Sequence, residues 1–274
     1  MKNQRPLGLL IEGNATSSLV LRLPSIPEDL GPIKASAPRV ARRLSNFLGA
    51  GYPVGTFEEL ESAKLILMRV PDLVLPRVIN ELCASGLPLK NLSFVLCESC
   101  LSNDALELLQ SRGAWTATLM QVHTQRKSWF VIEGQLTAIR QIRRLLQRND
   151  ARAFDLRPGT KSLYFAAVTL AGILPIPLLA GAQQALRTAG ISGNHLNTLL
   201  EEMSLEMFRT FSNGVRYQQQ WSRMGCSPEI SDSYLERLRV EYPQIGAVLD
   251  AQLALAAEIM AGEKQSVVTH ASTP

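Results

Sequence analysis

Short apolar runs alternate with amphipathic segments through the first half of the chain. The runs at 64–70 and 92–96 are almost continuously apolar, which is typical of parallel strands covered by helices on both faces. This βαβ order predicts a mostly parallel sheet. The predicted strands are 7–11, 30–35, 64–70, 92–96, 114–120 and 128–133, the predicted helices are 38–48, 73–84, 105–112 and 136–147, and a short segment at 57–62 continues the alternation.

From Lys161 onward the apolar spacing is helical throughout, with segments at 160–189, 194–212, 230–240 and 243–262. The predicted fold class is therefore α/β, a Rossmann-type mostly parallel sheet followed by an all-α domain. We expect a Rossmann-like domain over 1–157 and a helical C-terminal domain over 158–262. The polar tail at 263–274 is expected to be disordered.

The longest apolar stretch, 162–186, carries no charged residue and is long enough by count to span a bilayer. It contains Pro175 and Pro177 and lacks an aromatic belt, so we expect a buried, kinked helix at a subunit or domain interface instead. The apolar run near the N terminus is too short for a signal-peptide core. These features predict a cytoplasmic protein with no membrane partner.

Composition narrows the function classes. Of 274 residues, 46% are hydrophobic and 19% are charged, as in an ordinary globular protein, and the net charge is +4. The arginines lie on helical patterns without interleaved aromatic residues, so we expect no nucleic-acid partner. The four cysteines are irregularly spaced, which predicts reduced thiols. A metal site built from Cys97, Cys100, Cys226 and His123 would contain a single CxxC pair, and we expect no metal.

Candidate phosphate contacts follow the first predicted strand, where Gly13-Asn14-Ala15-Thr16-Ser17-Ser18 stands in the place of G-x-G-x-x-G. Gly13 can make the tight turn. A methyl group at Ala15 should weaken the approach of a pyrophosphate without abolishing it. We take Gly13, Asn14, Ala15 and Thr16 as candidate cofactor-binding residues, and a plain strand-turn-helix without a ligand remains the alternative.

The end of the second predicted strand indicates which dinucleotide would fit. An Asp or Glu at this point would bind the ribose 2′-hydroxyl of NAD, whereas an Arg with a hydroxyl would accommodate the 2′-phosphate of NADP. This chain has Ser36 and Arg39 there, and both are candidate cofactor residues. Arg42 and Arg43 follow on the same helix, either as further phosphate contacts or as a solvated basic face. The choice of residues favours NADP(H).

Local matches along residues 7–260 resemble a known family, namely Rossmann-like proteins with a C-terminal helical domain of unknown function. These are relatives of pyrroline-5-carboxylate reductases and of 6-phosphogluconate dehydrogenase-like NADP oxidoreductases. The resemblance implies an NADP-type cofactor, a helical domain that forms a homodimer, and a cleft between the domains. The matching segments are Val70-Pro71-Asp72, 102–106 with Gly113-Ala114, Val122-His123, Lys161-Ser162-Leu163-Tyr164, 185–191 and 234–238.

Several positions depart from the pattern of that family. A His-Ser-Gly-Ala run after the fifth strand is replaced by Cys97-Glu98-Ser99-Cys100. The histidine that follows the tyrosine is Phe165, and an expected asparagine is Ile173. The loop at 219–226 keeps only Gly225 of a Thr-Gly-Pro…Arg-Gly-Asp pattern. Because all these positions would face one cleft, their loss suggests that catalysis is altered or absent.

The resemblance implies roles for the remaining candidates. Lys161 and Tyr164 are the candidate catalytic residues: Lys161 would bind a substrate carbonyl or donate a proton, and the alternative is a lysine that only snorkels at a helix start. Val70 and Pro71 would line the nicotinamide side. For Asp72 we favour the simpler role of helix N-cap, with its carboxylate accepting from the N–H of Val74 or Leu75.

Two functions therefore remain open. The first is an NADP-dependent oxidoreductase that acts on a carbonyl or imine of unknown identity, in which the altered glycine loop weakens or prevents cofactor binding. The second is a non-catalytic dimeric scaffold or sensor subunit that binds no dinucleotide. The changed residues at 97–100 and 219–226 favour the loss of catalysis.

Overall fold

A computed structural model describes residues 6–13, 23–122, 129–213 and 228–270 of the chain. Its strands are β1 (Leu7–Ile11), β2 (Leu30–Ala35), β3 (Tyr52–Val54), β4 (Leu65–Arg69), β5 (Ser93–Cys97), β6 (Trp115–Val122), β7 (Trp129–Gly134) and β8 (Arg152–Asp155). Its α-helices are α1 (Ile26–Asp29), α2 (Pro38–Leu48), α3 (Leu75–Ala84), α4 (Glu107–Ser111), α5 (Leu136–Gln147), α6 (Lys161–Val168), α7 (Pro175–Thr188), α8 (Asn194–Ser212), α9 (Pro228–Glu241) and α10 (Pro243–His270).

The strands form one sheet in the order β3-β2-β1-β4-β5-β6-β7-β8. Neighbours run parallel except β6 and β7, so β7 and β8 oppose the other six. The chain moves outward from β1 to β3 and then crosses back to β4 on the other side of β1. Sheets of this kind bind ligands where the strand order reverses, at the carboxyl ends of the strands. In this chain that point lies between β1 and β4.

Both faces of the sheet are covered, which explains the continuous apolar runs in the sequence. Alternate side chains of a strand point to opposite faces. Leu9 and Ile11 therefore join the core formed with α2 and α5, whereas Leu10 joins the core formed with α3 and α4. The helix α2 shows how local signals fix the boundaries, since Pro38 occupies its first turn and Gly49 closes it in the left-handed conformation at φ 62°.

Most predicted elements are confirmed, and the exceptions lie at the sheet edges. The bounds of β1, β2, α2, α5 and α8 agree with prediction to the residue. The edge strands β3 and β8 were missed, because they are three and four residues long and lack a buried apolar run. The segment predicted at 57–62 contains a 3₁₀ helix, Glu58–Ser62.

The chain divides into two compact units, Met1–Phe165 and Ala166–Pro274. The first contains the sheet, and the described part of the second is helical. The domain boundary expected near 157 stays a prediction. The last helix, α10, continues to His270, where the sequence led us to expect a disordered tail from residue 263.

The helix that begins at Lys161 is interrupted, and its predicted kink stays a prediction. A π-helical segment, Thr169–Ile173, separates α6 from α7, and Pro175 follows it. The prediction that this apolar stretch is buried does not hold within a single chain, because Leu170, Ile173 and Ile176 are 58%, 60% and 61% exposed. By length and composition, Lys161–Thr188 is the one helix among the described residues that is apolar enough to cross a membrane, which is weak evidence on its own.

Candidate functional site

The end of β1 meets the end of β4 at the point where the strand order reverses. Gly13 is exposed and adopts φ 72°, a conformation that favours glycine. A Cβ on Gly13 would lie 3.2 Å from Cγ of Pro71, so the two predicted residues are in contact. Val70, by contrast, is fully buried beneath them. The predicted residues Asn14, Ala15 and Thr16 lie outside the described residues.

The end of β2 lies beside this turn. The backbone N–H of Ser36 donates to the carbonyl of Ile11 at 3.2 Å, which fixes Ser36 next to the end of β1. Ser36 and Arg39 are both exposed, and Arg39 lies in the first turn of α2. Arg39 has no ion-pair partner within the part of the chain that the structure describes. The structure thus brings Gly13, Pro71 and Ser36 to one edge of the sheet, and Arg39 follows Ser36 by three residues in the first turn of α2.

Two ion pairs bring carboxylates to the same edge. Arg69 Nε, at the end of β4, lies 2.9 Å from Oε2 of Glu98, which follows β5 and has a left-handed φ of 58°. Glu12, immediately before Gly13, lies 3.6 Å from the guanidinium of Arg77. The Glu12 side chain is only 13% exposed. A carboxylate in this position disfavours a pyrophosphate on Gly13, although Arg77 offsets part of its charge.

Asp72 does not cap α3, so that prediction is wrong. The N–H groups of Val74 and Leu75 donate to the carbonyl of Pro71 instead. The carboxylate of Asp72 accepts from Ser99 Oγ at 2.6 Å and from the N–H of Cys100 at 3.2 Å. Because Ser99 is buried, its hydroxyl needs a partner, and Asp72 supplies one. Asp72 therefore ties the loop after β4 to the loop after β5.

A second carboxylate, Glu133, is buried near the end of β7 and is 2% exposed. Its Oε2 accepts from the N–H of Asn103 at 3.1 Å, and its Oε1 accepts from the N–H of Gly159 at 2.9 Å. Glu133 thereby joins the loop after β5 to the segment that leads into α6. Sequence reasoning missed this residue. The available signal was a lone acid in the otherwise apolar run Trp129-Phe130-Val131-Ile132.

Lys161 belongs to this same network. It is 3% exposed, and its Nζ donates to the carbonyl of Leu101 at 2.5 Å. Burial lowers the pKa of Lys161, while the charges of Glu133, Cys100 and Asp72 act in the opposite direction. Tyr164 is half-buried, burial raises its pKa, and its ring meets Phe165 edge to face at 5.6 Å. The ammonium of Lys161 is therefore held by the protein backbone.

The lowered pKa of Lys161 predicts a specific dependence of stability on pH. The unfolded chain keeps this proton up to the ordinary lysine pKa of about 10.4, whereas the folded chain releases it at a lower pH. Between the two values the unfolded state binds more protons, so folding becomes more favourable as pH rises. We expect urea midpoints measured from about pH 8 to about 10.5 to rise relative to those of Lys161→Met. The exposed Lys64→Met variant should follow the wild type, and identical profiles for all three would contradict the assignment.

The cysteines form no disulfide among the described residues, where Cys83, Cys97 and Cys100 are free. Cys97 is buried, and burial strongly raises the pKa of its thiol, whereas Cys100 is exposed. Within the described ranges no group of three or more histidine, cysteine or acidic side chains is placed to hold a metal ion. Cys226, His123 and the loop at 219–226 lie outside those ranges.

Comparison with known proteins supports the fold but shows no family. No family model and no curated protein matches the chain. A Bacteroides fragilis protein described as an NADP oxidoreductase matches it with a TM-score of 0.70 at 12% identity, covering 93% of this chain and 98% of its own. The fold is Rossmann-like α/β. The sheet and the C-terminal helices correspond to those of this structural neighbour.

Two further structures match with bound dinucleotides. An imine reductase variant from Myxococcus stipitatus in complex with NAD+ has a TM-score of 0.68 at 14% identity, covering 94% of each chain. A reductive aminase from Aspergillus terreus in complex with NADPH and ethyl-5-oxohexanoate has a TM-score of 0.61 at 14% identity, covering 94% of this chain and 93% of its own. At these identities the likeness establishes the fold alone.

Proposed function

We propose that this chain is an NADP(H)-binding protein of the oxidoreductase lineage in which catalysis is weakened or lost. The observation that carries the proposal is the exposed Ser36, fixed next to the end of β1, followed by the exposed Arg39 in the first turn of α2, at the edge where such sheets bind ligands. The structural neighbours named for NADP, NADPH and NAD+ support a nicotinamide dinucleotide as the cofactor. The resemblance to relatives of pyrroline-5-carboxylate reductase and 6-phosphogluconate dehydrogenase belongs to the same proposal.

Within this proposal Ser36 and Arg39 would hold the 2′-phosphate, and the turn at Gly13 with Asn14, Ala15 and Thr16 would approach the pyrophosphate. A bound dinucleotide would supply a hydride. Pro71 would line the part of the site that holds the nicotinamide, since it is exposed next to Gly13. Glu12 would oppose the pyrophosphate, so we expect binding weaker than in a site with an intact G-x-G-x-x-G motif.

Weakened catalysis is supported by the state of Lys161. A proton donor must reach the substrate, yet the Lys161 ammonium is buried and donates to the carbonyl of Leu101. Lys161 and Tyr164 remain the candidate catalytic pair. If the protein is active, we propose that it is an NADP-dependent oxidoreductase acting on a carbonyl or imine.

The homodimer is also a proposal. Apolar side chains of the second unit are exposed over α7 and the π-helical segment before it, and a soluble monomer rarely leaves so large an apolar surface in water. We propose that a second copy covers them through a two-fold interface. The cytoplasmic location and the absence of nucleic-acid and membrane partners are retained as expectations.

Calorimetric titration of NADPH and NADH into the purified protein tests the cofactor assignment. Replacing Arg39 with alanine should weaken NADPH binding about tenfold to a hundredfold, which corresponds to the loss of one charge-assisted hydrogen bond to phosphate. NADH lacks the 2′-phosphate, so Arg39→Ala should change the affinity for NADH by no more than about twofold. The measurement therefore separates the role of Arg39 from any general disturbance of the site.

Arg140→Ala is the matched control, because Arg140 is an exposed helical arginine with no ion-pair partner among the described residues. It should leave both affinities unchanged. Equal weakening of NADPH and NADH by Arg39→Ala would contradict the 2′-phosphate contact. Failure of the wild-type protein to bind either nucleotide would favour the second candidate, a non-catalytic dimeric scaffold or sensor subunit.

A further inference from the structure

A groove of about 240 Å³ lies at the opposite edge of the sheet from the proposed cofactor site. It opens at the amino ends of β1 and β4 and is bounded by α5 and α1. Its floor is apolar, because Leu7, Leu65 and Leu145 line it and are 2%, 8% and 5% exposed. We name this feature, lined by those leucines together with Lys64, Arg144 and Arg148, the amino-edge groove.

The charged side chains around the amino-edge groove differ in how they are neutralised. Arg148 is held by the carboxylate of Asp29 and by Glu28, whose Oε2 lies 3.1 Å from Nη2 of Arg148. The hydrogen bond that Arg148 donates to Asp29 is the main reason that the pKa of Arg148 is raised. Lys64 and Arg144 are exposed and have no ion pair within the described residues. Asp29 also lines the groove, so three cations stand against two carboxylates, and Lys64 and Arg144 are the two cations without an ion-pair partner among the described residues.

This combination selects a chemical class of ligand. Two cations attract an anion, and a guanidinium binds a carboxylate or phosphate in a bidentate manner. The buried leucines favour an apolar body attached to that anion. The volume lies below the range of about 300–1,000 Å³ that is typical for drug-sized ligands, which limits the body to a few carbon atoms.

We propose that the amino-edge groove binds a small organic anion, with its charged group between Lys64 and Arg144 and its short apolar chain on Leu7, Leu65 and Leu145. The proposal is independent of the cofactor assignment, because the groove and the turn at Gly13 lie at opposite ends of β1.

The test uses butyl phosphate as the probe, titrated into the full chain at low ionic strength and followed by calorimetry. Inorganic phosphate supplies the charge alone, and butan-1-ol supplies the apolar body alone. Each of these should bind at least about tenfold more weakly than butyl phosphate. The double variant Lys64→Gln/Arg144→Gln should bind butyl phosphate at least about tenfold more weakly than the wild type. Arg140→Gln, on α5 like Arg144, should not change the affinity.

Saturating NADPH should leave the affinity for butyl phosphate unchanged. If the chain does not bind NADPH, butyl phosphate should still bind with the same affinity. The proposal is overturned if butyl phosphate shows no saturable binding, if the double variant binds it as tightly as the wild type, or if inorganic phosphate binds equally well. Butyl phosphate that competes with NADPH would place the probe in the cofactor site and would equally overturn the proposal.

Discussion

Replacing Glu133 with alanine is expected to destabilise the sheet-containing unit by about 3–5 kcal/mol, because two hydrogen bonds to a charged acceptor are lost and each contributes about 1.5–3 kcal/mol. The carboxylate is 2% exposed and accepts from the N–H groups of Asn103 and Gly159. Its loss leaves both N–H donors without their acceptor and removes the largest charge that offsets the burial of the Lys161 ammonium. Urea unfolding at neutral pH measures the change.

Companion variants identify the source of this effect. Glu133→Gln keeps one acceptor oxygen, so it should cost less than Glu133→Ala. Adding Lys161→Met to Glu133→Ala should recover about 1–2 kcal/mol, because it removes the ammonium that was left uncompensated. The control Glu61→Ala replaces an exposed glutamate and should change stability by no more than about 0.5 kcal/mol. A loss below about 1 kcal/mol for Glu133→Ala would contradict the network.

The network around Glu133 also explains what the sequence could not predict. Apolar patterns predict elements, and they located β1, β2 and α5 to the residue because the two strands are buried apolar runs and the helix is amphipathic. The partners of Glu133 are backbone N–H groups about 30 residues before it and 26 residues after it. A backbone N–H belongs to every residue except proline, so no residue type in the sequence marks such a partner.

The case of Asp72 shows the same limit. Its position before a helix is typical of an N-cap, and that local reasoning gave the wrong partner. The carboxylate instead satisfies the buried hydroxyl of Ser99, 27 residues later, because β4 and β5 are neighbours in the sheet. Local sequence rules describe contacts within one element. Contacts between adjacent strand ends depend on the order of the strands in the sheet. The sequence predicted the fold class but not that order.

The edge of the sheet that holds Gly13, Ser36 and Pro71 was easier to predict, for a physical reason. Carboxyl ends of neighbouring parallel strands meet at one edge, so residues that follow β1, β2 and β4 must lie near one another. Gly13 was identified from the glycine motif, Ser36 from the end of the second predicted strand and Pro71 from the family resemblance, and all three lie at that edge. The pairing of Arg69 with Glu98 was missed, since their attraction depends on side-chain directions and on the left-handed backbone of Glu98.

Charging the exposed apolar surface of α7 should disrupt the proposed homodimer. Ile176 and Leu179 are 61% and 43% exposed in the single chain, so covering the exposed half of each side chain contributes about 1 kcal/mol. A two-fold interface presents each residue twice, so Ile176→Asp/Leu179→Asp removes four apolar side chains and introduces four carboxylates. We expect the dimer dissociation constant to rise at least about a thousandfold.

Multi-angle light scattering without detergent measures the outcome, with the wild type eluting as a dimer and the double variant as a monomer or an aggregate. Phe47→Asp is the control, since Phe47 is a 73% exposed apolar residue of α2 in the other unit, and it should remain dimeric. An unchanged dimer in the double variant would place the interface elsewhere. A wild-type chain that stays in solution only with detergent would instead indicate that Lys161–Thr188 meets a membrane, because this helix has the length and mean hydropathy for either environment.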